Sequence, residues 1–320
     1  MTAVLLNAAR PWDAPDAVHA AGPALAGGVD GIGLVDSPRL FRDVFVETER
    51  VLSATSAALA GPCIASLGLR HPATVAGAVR TLEGHHPGRV FTVVGRGESS
   101  VRNEGVPVPP LGEYLRSLEL LRDGLLTTDG APVAPGRVLG AASGPRTIAA
   151  TATVLGGVLV DVGVDAGVVR RAVDLARERD DAATVWLFLR ATVTASAEEA
   201  AAAAEPIIGS CAMRMAAAPD WYGVDPADLD AVRAVAESHD YRRHGTSGAR
   251  DGVAGSADAL VRERFVLTGD PAQITDRLRP LAGLGIAGVV LAGAVHGVDD
   301  SLGALVPALR AGLRGPEEDR

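Results

Sequence analysis

The chain contains no lysine: all 30 of its basic residues are arginine. Without a lysine amine, Schiff-base and pyridoxal-phosphate chemistry are excluded. Aromatic residues make up only 3% of the sequence, so any core is built from Ala, Val and Leu. The two cysteines, Cys63 and Cys211, lie far apart and offer no disulfide framework, which gives the expectation of a reduced, cytoplasmic protein. No apolar stretch runs uninterrupted for the roughly 18 residues a membrane span needs, and no basic segment followed by a long apolar run opens the chain. The expectation is a soluble protein without signal peptide or membrane span. A net charge of −9 argues against general nucleic-acid binding. No HExxH, CxxC or carboxylate–histidine spacing marks a metal site. Asparagine occurs only at Asn7 and Asn103; with abundant Ala and Gly, this is the usage of a GC-rich genome such as an actinomycete's.

What is present is a chain of 320 residues, 48% hydrophobic, enough for one large α/β barrel or two domains. Short β-branched runs alternate with amphipathic Ala/Leu/Arg segments. Strands are expected at 4–8, 31–35, 62–66, 90–94, 137–142, 157–162, 184–193 and 288–291. Helices are expected at 14–26, 41–55, 72–82, 111–126, 145–155, 165–177, 197–217, 274–282 and 302–313. Eight strands in this alternation read as a (β/α)8 TIM barrel. A doubly wound sheet is the runner-up, but no GxGxxG follows the first strand. Residues 220–259 break the alternation and read as an insertion between strands seven and eight that folds over the barrel mouth. A single domain is expected over 1–313, followed by a charged tail at 314–320.

In a parallel barrel the chemistry sits at the C-terminal strand ends. Strand two ends in Asp36-Ser37-Pro38, where Asp36 either faces the mouth or caps the helix near Phe41. Strand three carries Cys63-Ile64-Ala65-Ser66, small residues on which a flat ligand can lie; Cys63 itself reads as a buried apolar residue. His71 precedes a proline and reads as a capping or packing residue, and His85-His86 fall at the opposite end of the barrel. Strand four delivers Gly95, Gly97, Glu98 and Ser99, with two glycines that permit close backbone approach. Strand five delivers Ala141-Ala142-Ser143-Gly144 ahead of Pro145, a helix start that can hold a phosphate or simply a capped end.

Taken together, these segments resemble the luciferase-like family of flavin- and deazaflavin-dependent oxidoreductases, related to bacterial luciferase and methylenetetrahydromethanopterin reductase. The residues that carry the resemblance are Asp36-Ser37 with the following 40–46 segment, 61–72 ending in Arg70-His71-Pro72, and Gly95-Arg96-Gly97-Glu98-Ser99-Ser100-Val101-Arg102. Ala141–Arg146 and the 265–271 segment complete it. The resemblance implies a flavin-type ring against strand three, at Cys63, Ile64 and Ala65, with a non-prolyl cis peptide mapping onto Cys63–Ile64. It implies a phosphate at Ala142, Ser143 and Gly144, and an acid, Glu98, near the reactive ring as in the family's F420-dependent sugar-phosphate dehydrogenases. Those enzymes carry a His where this chain has Ser37, and the family's common Ala-Asp-Gly is here Leu155-Gly156-Gly157.

The expected function is therefore F420-dependent hydride transfer to or from a C=C or C=N centre of a small metabolite, with Glu98, Asp36 and Ser37 as the candidates to relay a proton. The alternative is an FMN-dependent monooxygenase supplied with reduced flavin by a partner reductase. A non-catalytic flavin-binding barrel is a third reading. Tyr241, Arg243 and His244 in the insertion are candidate substrate residues, and a homodimer is expected from the resemblance.

Overall fold

Nine short runs of β-branched and small residues form parallel strands in the structure, a computed structural model that describes residues 2–240 and 257–315. In chain order the first half runs β1 (Ala3–Ala8), α1 (Ala17–Ala26), β2 (Gly31–Leu34), α2 (Val44–Ala54), β3 (Leu59–Ser66), α3 (Pro72–His85), β4 (Thr92–Gly95), α4 (Glu98–Asn103), α5 (Leu111–Gly124), β5 (Val138–Ala142) and α6 (Pro145–Leu155). The second half runs β6 (Gly157–Val160), α7 (Ala166–Arg177), β7 (Thr184–Val193), α8 (Ala197–Ala217), α9 (Pro219–Tyr222), α10 (Leu229–Glu237), α11 (Asp258–Phe265), β8 (Val266–Gly269), α12 (Pro271–Leu278), β9 (Gly288–Ala292) and α13 (Val298–Leu313). β1 to β7 pair in sequence, and β9 pairs with both β7 and β1, closing an eight-stranded parallel ring. This is the (β/α)8 barrel expected from the alternation.

β8 was not anticipated. It stands outside the ring and pairs with the second half of β7, Arg190–Val193 against Val266–Gly269, while the first half of β7 pairs with β9. The excursion between the seventh and eighth ring strands is thus longer than the expected 220–259 insertion and ends in a strand. Residues 241–256 lie outside the described residues, and with them Tyr241, Arg243 and His244. Among the described parts, α10 and α11 pack against α8.

Helix starts differ from expectation where an aspartate sets the boundary. α1 begins three residues late because Asp16 accepts the N–H of His19, and α2 begins at Val44 because Asp43 accepts from Phe45 and Val46. The expected turn at 98–103 is instead the short helix α4, opened by Gly97 in the left-handed conformation (φ 73°). α7 shows why the remaining helices form: Asp165 caps it, and Val168, Val169, Ala172, Val173 and Ala176 share its buried face. No helix among the described residues is long and apolar enough to cross a membrane.

With so few aromatics, the barrel is filled by Leu5, Cys63, Phe91, Val93, Leu139, Leu159, Trp186 and Val290. Phe91 and Trp186 stack at 4.6 Å between ring centroids. Trp186 fits because Gly288 faces it: a Cβ there would fall inside the indole. The outer layer of Val, Leu and Ala side chains joins strands to helices.

Candidate active site at the barrel mouth

Strand side chains alternate, so the inward residues above the filled interior are those that reach the C-terminal mouth. On β3, β4 and β5 these are small. Ile64 and Ala141 are half-buried and pack on top of the interior cluster. A Cβ on Gly95 would sit 2.8 Å from Ile64 Cγ2 and 3.6 Å from Ala141 Cβ. Ile64, Gly95 and Ala141 therefore form one low apolar floor, flat because position 95 lacks a side chain. The Cys63–Ile64 peptide is cis, as the resemblance implies, and the β3–β4 register shifts between Cys63 and Ala65. Cys63 lies beneath this floor, and burial pushes its thiol well above the ordinary range, so it is a packing residue. Ala65 and Ala142 turn their side chains into the outer strand–helix layer, leaving only backbone for a ligand.

Beside the floor, β5 runs through Ser143 and Gly144 into α6. No side chain caps this helix, and Pro145 in its first turn has no N–H to donate. A Cβ on Gly144 would meet nothing within 4 Å, so the space before the helix end is open. The turn is held from behind: the Tyr222 hydroxyl donates to the Ser143 carbonyl at 2.7 Å.

The three proton-relay candidates separate. Asp36 is buried and engaged at both oxygens: Oδ2 accepts from Ser66 N (3.0 Å) and Arg70 Nε (2.8 Å), and Oδ1 accepts from Arg70 Nη2 (2.9 Å). Asp43, not Asp36, caps α2. Three of the roughly four acceptor positions of the Asp36 carboxylate are spent on locking the β2 and β3 ends together. Glu98 is exposed in the first turn of α4 and pairs with Arg102 at 3.2 Å. Ser37 is buried, and its Oγ has no hydrogen-bond partner. The Asp36 carbonyl accepts the Ser100 hydroxyl at 2.6 Å, which ties α4 to the same loop. Gly97 admits only hydrogen because a Cβ would overlap the Ser66 side chain; Ser99 is half-buried at the rim. His71 caps α3, accepting from Ala73 N at 3.2 Å, and His86 pairs with Glu49.

Sequence reasoning missed a charged cluster across the mouth from the floor. Asp161 and Arg190 occupy the inward positions above Leu159 and Phe188. Arg190 grips Asp161 through both nitrogens, at 2.6 and 2.9 Å, and lies over the Phe188 and Phe265 rings. Arg214 reaches the same carboxylate from α8 at 2.5 Å. Burial alone would raise the Asp161 carboxyl, but the two guanidinium groups outweigh it and hold it at about 2. The available signal was a lone arginine inside the apolar run VWLFLRATV, which demands a buried partner. Asn7, inward above Leu5, was also missed; its Oδ1 is buried and unpartnered. No group of three or more His, Cys, Asp or Glu among the described residues is placed to hold a metal.

No curated protein matches the chain in sequence. Solved structures of similar fold include the coenzyme F420-dependent tetrahydromethanopterin reductase of Methanopyrus kandleri, 17% identical, with TM-score 0.71 over 98% of this chain and 99% of that one. An F420-dependent secondary alcohol dehydrogenase in complex with an F420-acetone adduct is 17% identical, with TM-score 0.68 over 97% and 100% of the two chains. The oxygenating constituent of 3,6-diketocamphane monooxygenase from Pseudomonas putida, in complex with FMN, is 15% identical with TM-score 0.60, each chain covered to 99%. The luciferase-like monooxygenase family model matches residues 26–288, most of the barrel and the ends of β2 to β7, and the chain belongs to that family.

Proposed function

We propose that the protein is an F420-dependent oxidoreductase that transfers a hydride between the deazaflavin and a C=C or C=N centre of a small metabolite. The observation that carries a flavin-type site is the adjacency of the Ile64–Gly95–Ala141 floor and the uncapped, open end of α6. The floor suits the face of a fused ring, and the helix end suits a phosphate. When bound, the deazaflavin supplies a carbon that gives or accepts hydride and lacks the oxygen reactivity of a flavin. Support for the deazaflavin comes from Glu98 in its GxGE turn, the GC-rich composition, and the F420-dependent enzymes among the similar folds.

The chain's own residues bind, orient and hold a proton. Gly95 keeps the floor flat, and Tyr222 fixes the turn that would take the phosphate. Asp36 and Arg70 hold the rim in place. Ser37, whose buried Oγ has no hydrogen-bond partner, is the residue we assign to exchange a proton with a substrate, while Glu98 contributes negative charge at the rim.

FMN-dependent monooxygenation is the second reading, favoured by the FMN-bound structure of similar fold. Parallel fluorescence titrations of the protein with F420 and FMN decide between them. Selective micromolar binding of F420 is the expected result; selective FMN binding with oxygen consumption by the reduced complex would reverse the order. A variant tests the floor. Gly95→Val adds branches into the 2.8 Å gap to Ile64 and should weaken cofactor binding at least tenfold, read by the same titration. Unchanged affinity would move the ring elsewhere.

A further inference from the structure

The Asp161 cluster carries one more positive charge than negative. Arg190 is nearly fully buried and spends both terminal nitrogens on Asp161. Arg214 donates one N–H to Asp161 and one to the Ser210 carbonyl at 2.6 Å. A guanidinium has five N–H donors, so three remain on Arg214. Its side chain keeps 28% of its surface exposed, in contrast to the 4% of Arg190. Among the described residues, the other ionisable neighbours do not offset the charge. Cys211 and Tyr222 are pushed up by burial and stay neutral, and Arg264 is matched by Asp165 at 3.5 Å. A second arginine on an already paired carboxylate, part-exposed beside it, leaves N–H donors that an incoming anion can take in place of water.

Position says what kind of anion. The floor of β3, β4 and β5 takes the ring in the reading above. The sector over β6, β7 and β1 is left for the reacting partner, and it is bounded by Asp161, Arg190 and Asn7. We propose that Arg214 anchors an oxyanion, a carboxylate or phosphate, carried by the substrate, so that the enzyme acts on acidic metabolites. The inference rests on the mouth being the active site. Asp161 holds Arg214 from one side, and the guanidinium's remaining N–H groups meet the substrate's two oxygens as a fork. Arg190, locked on Asp161, fixes the carboxylate and hence the orientation of Arg214.

The test is calorimetric titration of the full chain, free of cofactor, with inorganic phosphate, alongside fluorescence titration with F420. Arg214→Gln should weaken phosphate binding at least tenfold, and Arg214→Lys, which keeps the charge but loses the fork, should weaken it less. Both should bind F420 within twofold of the parent. Arg190–Asp161 survives in both variants, and unchanged melting temperatures will show that they fold. Phosphate binding left intact by Arg214→Gln, or absent from the parent, overturns the proposal. So does a tenfold loss of F420 affinity in Arg214→Gln, because the anion is then the cofactor's own phosphate. Failure of the parent to bind F420 or FMN strikes the cofactor reading alone, since the phosphate titration is made without either.

Discussion

Gly144→Asp should abolish binding of F420 and FMN alike while leaving the barrel folded. Gly144 has φ −120° and ψ 156°, extended backbone that aspartate adopts without strain. A Cβ there touches nothing within 4 Å, so the side chain enters open space. At the N-cap of α6, which no side chain caps, aspartate accepts a first-turn N–H and can stabilise the helix by about 1 kcal/mol. The same carboxylate fills the place proposed for the phosphate. Two unit charges about 4 Å apart at a protein surface repel by roughly 4 kcal/mol, a loss on the order of a thousandfold in affinity. Fluorescence titration together with a melting curve checks both halves. Unchanged affinity in a folded variant would sink the assignment of the phosphate turn.

Asp161→Asn should produce the largest loss of stability of any single site change considered. The amide is isosteric, but it leaves Arg190 buried and Arg214 half-buried with no counter-charge. Removing one partner of a buried ion pair typically costs about 3–5 kcal/mol. In a domain of this size that is a fall in Tm on the order of 10 °C. The pH dependence gives a second, independent readout. The Asp161 carboxyl is held at about 2 in the folded chain against an ordinary 3.8. A depressed carboxyl contributes stability that is complete above the unfolded value and lost as pH falls through the folded one. The stability gap between parent and variant should therefore be constant above about pH 4 and close progressively toward pH 2. Denaturant unfolding at stepped pH measures it; a gap that stays flat down to pH 2 would mean that Asp161 is not held by its arginines.

The contrast between these two sites explains what the sequence could disclose. The turn proposed for the phosphate is local: Ala141 to Pro145 lie side by side, and glycine before a first-turn proline has a direct conformational meaning. The floor is nearly as legible, because small residues ended three successive strands. The grouping of Asp161, Arg190 and Arg214 is invisible to such reading. Arg190 stands out in its apolar run, but nothing in the sequence says that its partner is Asp161, 29 positions away, until the ring closes and turns both inward. Asp36 was noticed for its strand-end position, but its partner Arg70, 34 residues on and bound to both oxygens, could not be read from the sequence. β8 escaped because four residues after a helix carry little periodicity, and its hydrogen-bonding strand had been assigned wholly to the ring. The helix boundaries at Asp16 and Asp43 were available from capping chemistry and were read too early in the chain by apolar periodicity alone.

The forked pairing of β7 has a consequence for anyone who would trim this protein. Its upper half, Arg190 to Val193, finds its backbone partners in β8, which belongs to the long excursion after α8. Excising that excursion as a removable cap would strip a row of amide and carbonyl groups on a strand that also bears Arg190. The excursion is thus joined to the barrel wall through β8. Swapping it between relatives to exchange substrate preference will succeed only when the graft carries its own β8 in register with the host's β7.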